Sequence, residues 1–203
     1  MFKRLIGREV IEMGEFGESS YRRFPQGDRS ALEELIRTYS DSLVRFAYSY
    51  VKSSAAAEDV AEDTFAALFV KGKHFGQEPQ LRAWLYKVAR SKCIDYLRRH
   101  KREIPLADVE NVLHCDDAEA DVARRMRNET IYVCMQALPE QYREVLQLTY
   151  FDGFSLQQTC RIMGKSSKQV YNLHARSKIA LKQLLEKEGI THEDICREDP
   201  GCA

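Results

Sequence analysis

Ser155 to Lys182 reads SLQQTCRIMGKSSKQVYNLHARSKIALK. The stretch divides into two helices joined by a tight turn. Ser155 suits an N-cap, because its hydroxyl can accept from an orphan N–H of the first turn. Leu156, Cys160 and Met163, with Ile162 beside them, put small and apolar groups on one face at helical spacing. Gly164 can end that helix in the left-handed conformation that a Cβ disfavours. Ser166 or Ser167 can cap the next helix, whose inner stripe is Val170, Leu173, Ser177 and Leu181. Lys168, Gln169, Tyr171, Asn172, Arg176 and Lys178 are left to the other faces, where they can meet phosphates and base edges. A short helix, a glycine turn and a second helix with a basic, amide-rich face is the helix-turn-helix layout, whose second helix enters the major groove. A helical hairpin with a merely solvated basic face is the competing reading.

Upstream, the spacing predicts one helix from about Ala120, carrying Val122, Met126, Ile131, Val133, Cys134 and Leu138. Pro139 then falls at or near the first turn of a further helix. That helix, EQYREVLQLTYF, runs unbroken to Asp152-Gly153, with Tyr142, Val145, Leu146, Leu148 and Phe151 as its apolar positions. Residues 103–124 form a linker: Pro105 breaks the preceding helix, and Glu103, Asp108, Glu110, Asp116, Asp117, Glu119 and Asp121 follow with few apolar anchors. Past Leu185 the chain turns polar, and residues 189–203 read as a loose tail.

The first half is also helical. Regular structure is expected to begin near Gly27-Asp28, where Asp28 or Ser30 can cap a helix to about Lys52 that carries Leu32, Leu35, Ile36, Tyr39, Leu43, Val44, Phe46 and Ala47. A second helix, from Ala55 to about Lys71, has Val60, Phe65, Leu68 and Phe69 with small alanines as its stripe. Its first half is acidic, with Glu58, Asp59, Glu62 and Asp63, which suits a helix N-terminus. Those carboxylates form either a solvated face or a docking surface for a basic partner. A di-metal site would want Glu-x-x-His pairs, and this helix has no His. Gly72 to Gln80 reads as a loop, broken by Gly72, Gly76 and Pro79. The third helix runs from Gln80 or Leu81 to about Arg102. Leu81, Trp84, Leu85, Val88, Ala89, Ile94 and Leu97 point inward, and Arg82, Lys87, Arg90, Lys92, Arg98 and Arg99 cover much of the rest, a surface suited to a polyanion. Residues 1–23 stand apart. Phe2, Leu5, Ile6, Val10 and Met13 have helical spacing, which fits a short amphipathic helix docked on the body, a membrane-surface helix or a frayed extension.

Composition sets bounds on function. The 203 residues carry 31 Lys and Arg against 31 Asp and Glu. Zero net charge excludes a uniformly basic coat, but the charge is segregated along the chain, and local charge decides polyanion affinity. The six cysteines show no CxxC pair, so zinc spacing is missing and a reduced interior is the default. Cys196 and Cys202 lie in the tail. No apolar run approaches a membrane span, and the N-terminus lacks a secretory core. A cytoplasmic protein without membrane insertion is expected.

Taken together, residues 25–187 resemble a bacterial RNA polymerase sigma factor of the extracytoplasmic-function group. AEDVAEDTF (Ala57 to Phe65) looks like that group's polymerase-binding helix, and LRAWLYKVARSKCIDYLRR (Leu81 to Arg99) like its promoter-reading helix. Ala137 to Leu181 looks like its terminal helix-turn-helix domain. The resemblance implies an all-α fold of two small helical domains joined by an acidic flexible linker, the second a helix-turn-helix domain. The implied division is an extension (1–23), a region-2-like domain (24–102), a linker (103–124), a region-4-like domain (125–188) and a tail (189–203).

It also implies roles. Glu58, Asp59, Glu62, Asp63 and Phe65 would bind the β′ clamp helices of core polymerase. Lys73, His74, Gln77 and Gln80 of the loop, with Trp84, Lys87, Arg90, Ser91, Arg98 and Arg99, would hold the minus-ten element, one base flipped from the stack. Lys165, Ser166, Ser167, Lys168, Gln169, Tyr171, Asn172, Arg176 and Lys178 would read the minus-35 element, while the same domain touches the β flap. No cofactor, metal or catalysis is implied. An anti-sigma partner, common in the group, would cover the same faces. Departures from the pattern are Ser91 where Asn is frequent, Gln158 and Thr159 where Glu and Ile are usual, and Lys165 in place of an apolar residue.

Two rival classes remain. A DNA-binding regulator that works without polymerase would have no need of the acidic helix. An adaptor using both domains against proteins would have no need of two basic surfaces. An enzyme fits least, as the chain has no phosphate-cradling Gly loop, nucleophile elbow or metal-ligand spacing.

Overall fold

A computed structural model of the chain describes residues 17–24, 28–71, 74–100 and 122–190. Among them all secondary structure is helical. The chain divides into two compact units. The first holds α1 (Gly17–Arg23), α2 (Arg29–Val51), α3 (Ser54–Lys71) and α4 (Glu78–Arg99). The second half of the chain supplies α5 (Val122–Ala137), α6 (Glu140–Leu146), a π-helical turn (Gln147–Phe151), α7 (Leu156–Met163) and α8 (Ser167–Lys187).

The first unit is built on α2, which packs against α1, α3 and α4. Asp28 caps it as expected, its carboxylate accepting from the N–H groups of Ser30 at 2.9 Å and Ala31 at 3.3 Å. Arg23 holds that carboxylate at 2.8 Å and also pairs with Glu34. The helix stops at Lys52, whose φ of 58° is left-handed. Ser53 then caps α3, and α2 and α3 form a hairpin. Leu35, Tyr39, Leu43, Phe46 and Ala47 are fully buried, and the Phe46 ring lies 4.9 Å from that of Tyr86 on α4.

Four sequence expectations are corrected in this unit. The folded part does not begin at residues 27–28, since α1 precedes it, with Tyr21 and Phe24 buried and the Ser20 hydroxyl donating to Glu34. Glu78 to Gln80 belong to α4 rather than to the loop, because a proline in the first turn lacks an N–H that would be unpaired anyway. The inner stripe of α4 is Leu81, Leu85, Ala89 and Cys93, with Tyr86, while Ile94 is exposed. Strict four-residue spacing selects the cysteine over its larger neighbour. On the hairpin, Ile36 and Phe69 are exposed although their periodicity places them inside.

In the second unit α8 packs on α6 and α5. Val170, Ser177, Leu181 and Leu185 form its buried stripe, with Leu173 only half-buried. Ile131, Cys134, Met135 and Leu138 face the core, while Val133 is exposed. The expected unbroken helix to Asp152 is not what forms. After Leu146 the ladder widens, and the Asp152 N–H donates to the Gln147 carbonyl at 2.9 Å. Thr149 contributes, its hydroxyl donating to the Val145 carbonyl at 2.7 Å. The extra residue per turn shifts the face, leaving Leu148 buried and Phe151 exposed.

The expectations for residues 1–16, Lys73, the acidic stretch 103–121 and the tail with Cys196 and Cys202 lie outside the described residues.

Candidate polymerase and nucleic-acid interfaces

The acidic carboxylates are sorted by the winding of α3. Glu58, Asp59, Glu62 and Asp63 are exposed, whereas Phe65 is 6% exposed and packs in the core. Asp63 is not a free charge: its carboxylate accepts from the Lys92 ammonium of α4 at 2.9 Å. An exposed pair of this kind is worth little energy, but it ties the acidic helix to the basic one. Beside the carboxylates, α2 and α3 enclose a groove of about 720 Å³. Leu32, Ile36, Phe65 and Phe69 line it, with Glu58 and Glu62 on its wall.

The loop before α4 is braced rather than loose. The Gly76 N–H donates to the Gln80 amide oxygen at 3.3 Å. Phe75, 9% exposed, packs on Trp84 with ring centroids 5.8 Å apart. Lys71 holds its ammonium 5.8 Å from the centroid of the same indole. His74, Gln77 and Gln80 stay exposed around this aromatic floor. At the start of α4, the buried Tyr39 hydroxyl donates to Glu78. Burial first, and that carboxylate second, push the Tyr39 phenol far above its ordinary range. Phe75 and Tyr39 escape a reading by motif, since one is a lone aromatic among polar residues and the other looks like plain core.

Farther along α4, Lys87, Ser91, Arg98 and Arg99 are exposed and Arg90 is half-buried. Arg98 pairs with Asp95 at 3.1 Å, one turn back. The exposed face of α4 is therefore basic and continuous with the loop that carries His74 and Gln77, a surface that can take a polyanion and present an aromatic wall to a base.

The helix-turn-helix has the expected joints. The Ser155 hydroxyl accepts from the Gln158 N–H at 3.2 Å, and the Gln158 amide oxygen accepts from the Ser155 N–H at 2.9 Å. Gln158 thus serves a capping box as a glutamate would. Thr159, fully buried, donates its hydroxyl to the Ser155 carbonyl. Gly164 has φ +64° with nothing within 4 Å of a built Cβ, so backbone conformation rather than space calls for glycine. Ser166 caps α8 in a second capping box with Gln169. Its partner's amide oxygen accepts from the Ser166 N–H at 2.9 Å. Gln169 is therefore occupied in part by the cap.

Beyond the cap, Ser167, Lys168, Tyr171, Asn172 and Arg176 are exposed, and Lys165 and Lys178 half-buried. Lys165 precedes the cap, and the others lie on the first half of α8, the part of a recognition helix that meets base edges and flanking phosphates. His174 falls among them in sequence but stacks on Tyr150, with centroids 5.6 Å apart and planes at 17°. Burial, and then Lys178, lower the His174 pKa, so the fold disfavours the charged form of this ring. Among the described residues, the sequence-selected side chains are thus wholly or partly exposed within their own units, except Phe65, which lies in the core.

Comparisons with known proteins bear on the family of the chain and on its fold. The family profile for sigma-70 region 2 matches residues 35–103, and that for sigma-70 region 4 matches residues 128–181, together more than half of the chain. The ECF RNA polymerase sigma factor SigM of Bacillus subtilis (strain 168) is 27% identical over 168 residues, covering 80% of this chain and 99% of its own length. The RNA polymerase sigma factor NccH of Alcaligenes xylosoxydans xylosoxydans is 27% identical over 180 residues, covering 85% and 96%. Among solved structures, CnrH in complex with the cytosolic domain of CnrY aligns with TM-score 0.61 at 22% identity, over 83% of this chain and 96% of that one. RpoE of Bartonella quintana, solved with the anti-sigma factor NepR, aligns with TM-score 0.62 at 21% identity, over 76% and 96%. At these identities the two structures speak to the fold.

Proposed function

The chain belongs to the sigma-70 family, in its extracytoplasmic-function group, with the promoter-recognising function of RNA polymerase sigma factors, and from that premise we propose which of its faces does what. Residues 24–102 bind core polymerase and the minus-ten element, and residues 125–188 read the minus-35 element and touch the β flap. Residues 103–124 link them.

On α3, Glu58, Asp59 and Glu62 present charge to the β′ clamp helices. Asp63 acts in part through Lys92, and Phe65 shapes the surface from beneath. His74, Gln77 and Gln80 surround a flipped base of the non-template strand, against the floor made by Phe75 and Trp84. Lys73 belongs to the same loop. Lys87, Arg90, Ser91, Arg98 and Arg99 grip the adjoining backbone. In the second unit Lys165, Ser166, Ser167 and Lys178 meet phosphates, and Lys168, Gln169, Tyr171, Asn172 and Arg176 face the groove. The family consists of DNA-binding regulators, and no catalytic step or cofactor is assigned to this chain. A factor acting on promoter DNA works in the cytoplasm. Among the described residues no helix is long and apolar enough to cross a membrane. An anti-sigma factor, as RpoE has in its complex, would cover the same two units.

The observation that carries this reading is the exposed carboxylate row on α3 beside the basic face of α4, two surfaces of opposite charge on one small unit. Its test is Asp59→Arg combined with Glu62→Arg, which leaves the Asp63–Lys92 pair intact. The doubly substituted protein should keep its circular dichroism and its binding to promoter duplex but lose at least tenfold in affinity for core polymerase. Undiminished binding to core would take the clamp contact off this face of α3.

A further inference from the structure

We propose that Gln169 determines specificity on α8 by reading guanine and rejecting adenine, because the helix cap takes up its acceptor and leaves its donor for the DNA. The inference rests on the reading of α8 as the helix that meets the minus-35 element, and names the base that one of its residues takes. A glutamine amide ordinarily offers an acceptor and donors together, and so pairs with adenine, donating to N7 and accepting from N6. Gln169 is not in that state. Its Oε1 accepts from the Ser166 N–H at 2.9 Å and from the Ser166 hydroxyl at 3.0 Å. An amide oxygen has two lone pairs, so both are used. The way round of the amide follows from the chemistry of its partner: a backbone N–H can only donate, so the atom facing it is the oxygen. The Ser166 hydroxyl in turn accepts from the Gln169 backbone N–H at 3.4 Å, which closes the box.

What remains for a ligand is the side-chain nitrogen. It makes no hydrogen bond among the described residues, and Gln169 is exposed. The residue lies in the first turn of α8, the part of a recognition helix that comes nearest to base edges. In the major groove guanine sets two acceptors side by side, N7 and O6, whereas adenine sets the N6 donor beside its N7. An amide without a spare acceptor therefore gains most at guanine. At adenine it would leave N6 unpaired, or else surrender the Ser166 N–H and open the first turn of its own helix. Thymine offers O4 alone, a weaker match. Asn172, three residues on and on a neighbouring stretch of the same face, is exposed, and its amide has no hydrogen bond among the described residues. Adenine pairing falls to that amide, which keeps both its functions, rather than to Gln169.

The test reads base preference separately from folding. The full chain, bound to core polymerase, transcribes a pool of barcoded templates built on a promoter that gives a chain-dependent run-off transcript. Each base pair of the upstream element is varied in turn, and transcripts are counted by sequencing. At one position the unsubstituted chain should favour guanine over each other base by about fivefold or more. Gln169→Glu keeps an acceptor for the Ser166 N–H, as a capping box allows, but has no donor, and its carboxylate suits the N4 amino group of cytosine. It should keep the thermal midpoint of the second unit and turn the preference at that position from guanine to cytosine, with the other positions unchanged. A carboxylate near phosphates also weakens binding to every template, which cancels in the ratio. Gln169→Met loses the box and the donor together, and should lower the midpoint and flatten the preference without reversing it. An identical profile in Gln169→Glu would make Gln169 a cap and nothing more. Adenine preferred at the position that Gln169→Met flattens would show that the amide leaves its cap for the DNA. Either result would overturn the proposal. Chain-dependent transcription with no upstream preference at any position would instead remove α8 from the promoter, and the proposal would fall with the reading beneath it.

Discussion

At the residue scale, the sequence displays caps well and buried partnerships poorly. Asp28, Ser155 and Ser166 are legible because a short polar side chain before a periodic run has one obvious use, and each caps the helix it precedes. Phe75 on Trp84, Asp63 with Lys92, and His174 on Tyr150 are not legible, since each joins residues that no local period relates. The Tyr39–Glu78 bond, hidden in the same way, and the His174–Tyr150 stack predict measurable behaviour. Tyr39→Phe removes a hydroxyl that donates to a carboxylate from a buried position, and should destabilise the first unit by about 1–2 kcal/mol. The chain's single tryptophan, Trp84, lies in that unit, so urea denaturation followed by its fluorescence measures the change. A midpoint equal to that of the unsubstituted chain would remove the bond from the account. His174 titrates below its ordinary value because the fold disfavours its charged form. The folded state then binds fewer protons than the unfolded one, so this contribution is complete above the ordinary imidazole pKa of 6.5 and is lost as pH falls below it. Between pH 7.5 and 5.5 the melting temperature of the second unit should drop, and His174→Phe, which keeps the stack, should flatten that dependence. An identical pH profile in the variant would contradict the assignment.

At the scale of elements, periodicity locates helices and misplaces some of their faces. α2, α3 and α4 lie where apolar spacing puts them, yet Cys93 rather than Ile94 faces the core, and Phe69 stays outside. Period alone does not say how wide the buried stripe is. The π turn after Leu146 is invisible to a 3.6-residue template, because it is defined by a ladder shift that Thr149 and Asp152 take part in rather than by a residue pattern. The helix-turn-helix is the best-read element, since its glycine and its capping serines are written in sequence, although the glutamines that complete both boxes emerge only in the structure. Its stability should accordingly depend on its caps. Ser166→Ala loses the acceptor for the Gln169 N–H and breaks the box, at about 1 kcal/mol. Thermal unfolding of the second unit should register this as a lowered midpoint, and affinity for a minus-35 duplex should fall with it as the first turn of α8 frays. A wild-type midpoint in the variant would mean that packing, not capping, fixes the start of α8.

At the scale of the whole molecule, one chain forms two helical units with different surfaces. The division was legible in the sequence because charge is segregated along it: an acidic helix, a basic helix, an acidic stretch and a basic recognition helix in that order. The groove between α2 and α3 was not, because it is made of side chains that periodicity assigns to the core. Family membership gives the two units one purpose, promoter recognition on behalf of polymerase. The measurement that tests this most directly is run-off transcription from genomic fragments with purified core polymerase, with and without the chain. The account predicts specific transcripts that appear only on addition, with start sites that share two upstream elements, and their loss in the Asp59→Arg, Glu62→Arg protein. Absence of any chain-dependent transcript from folded protein free of inhibitor would contradict it.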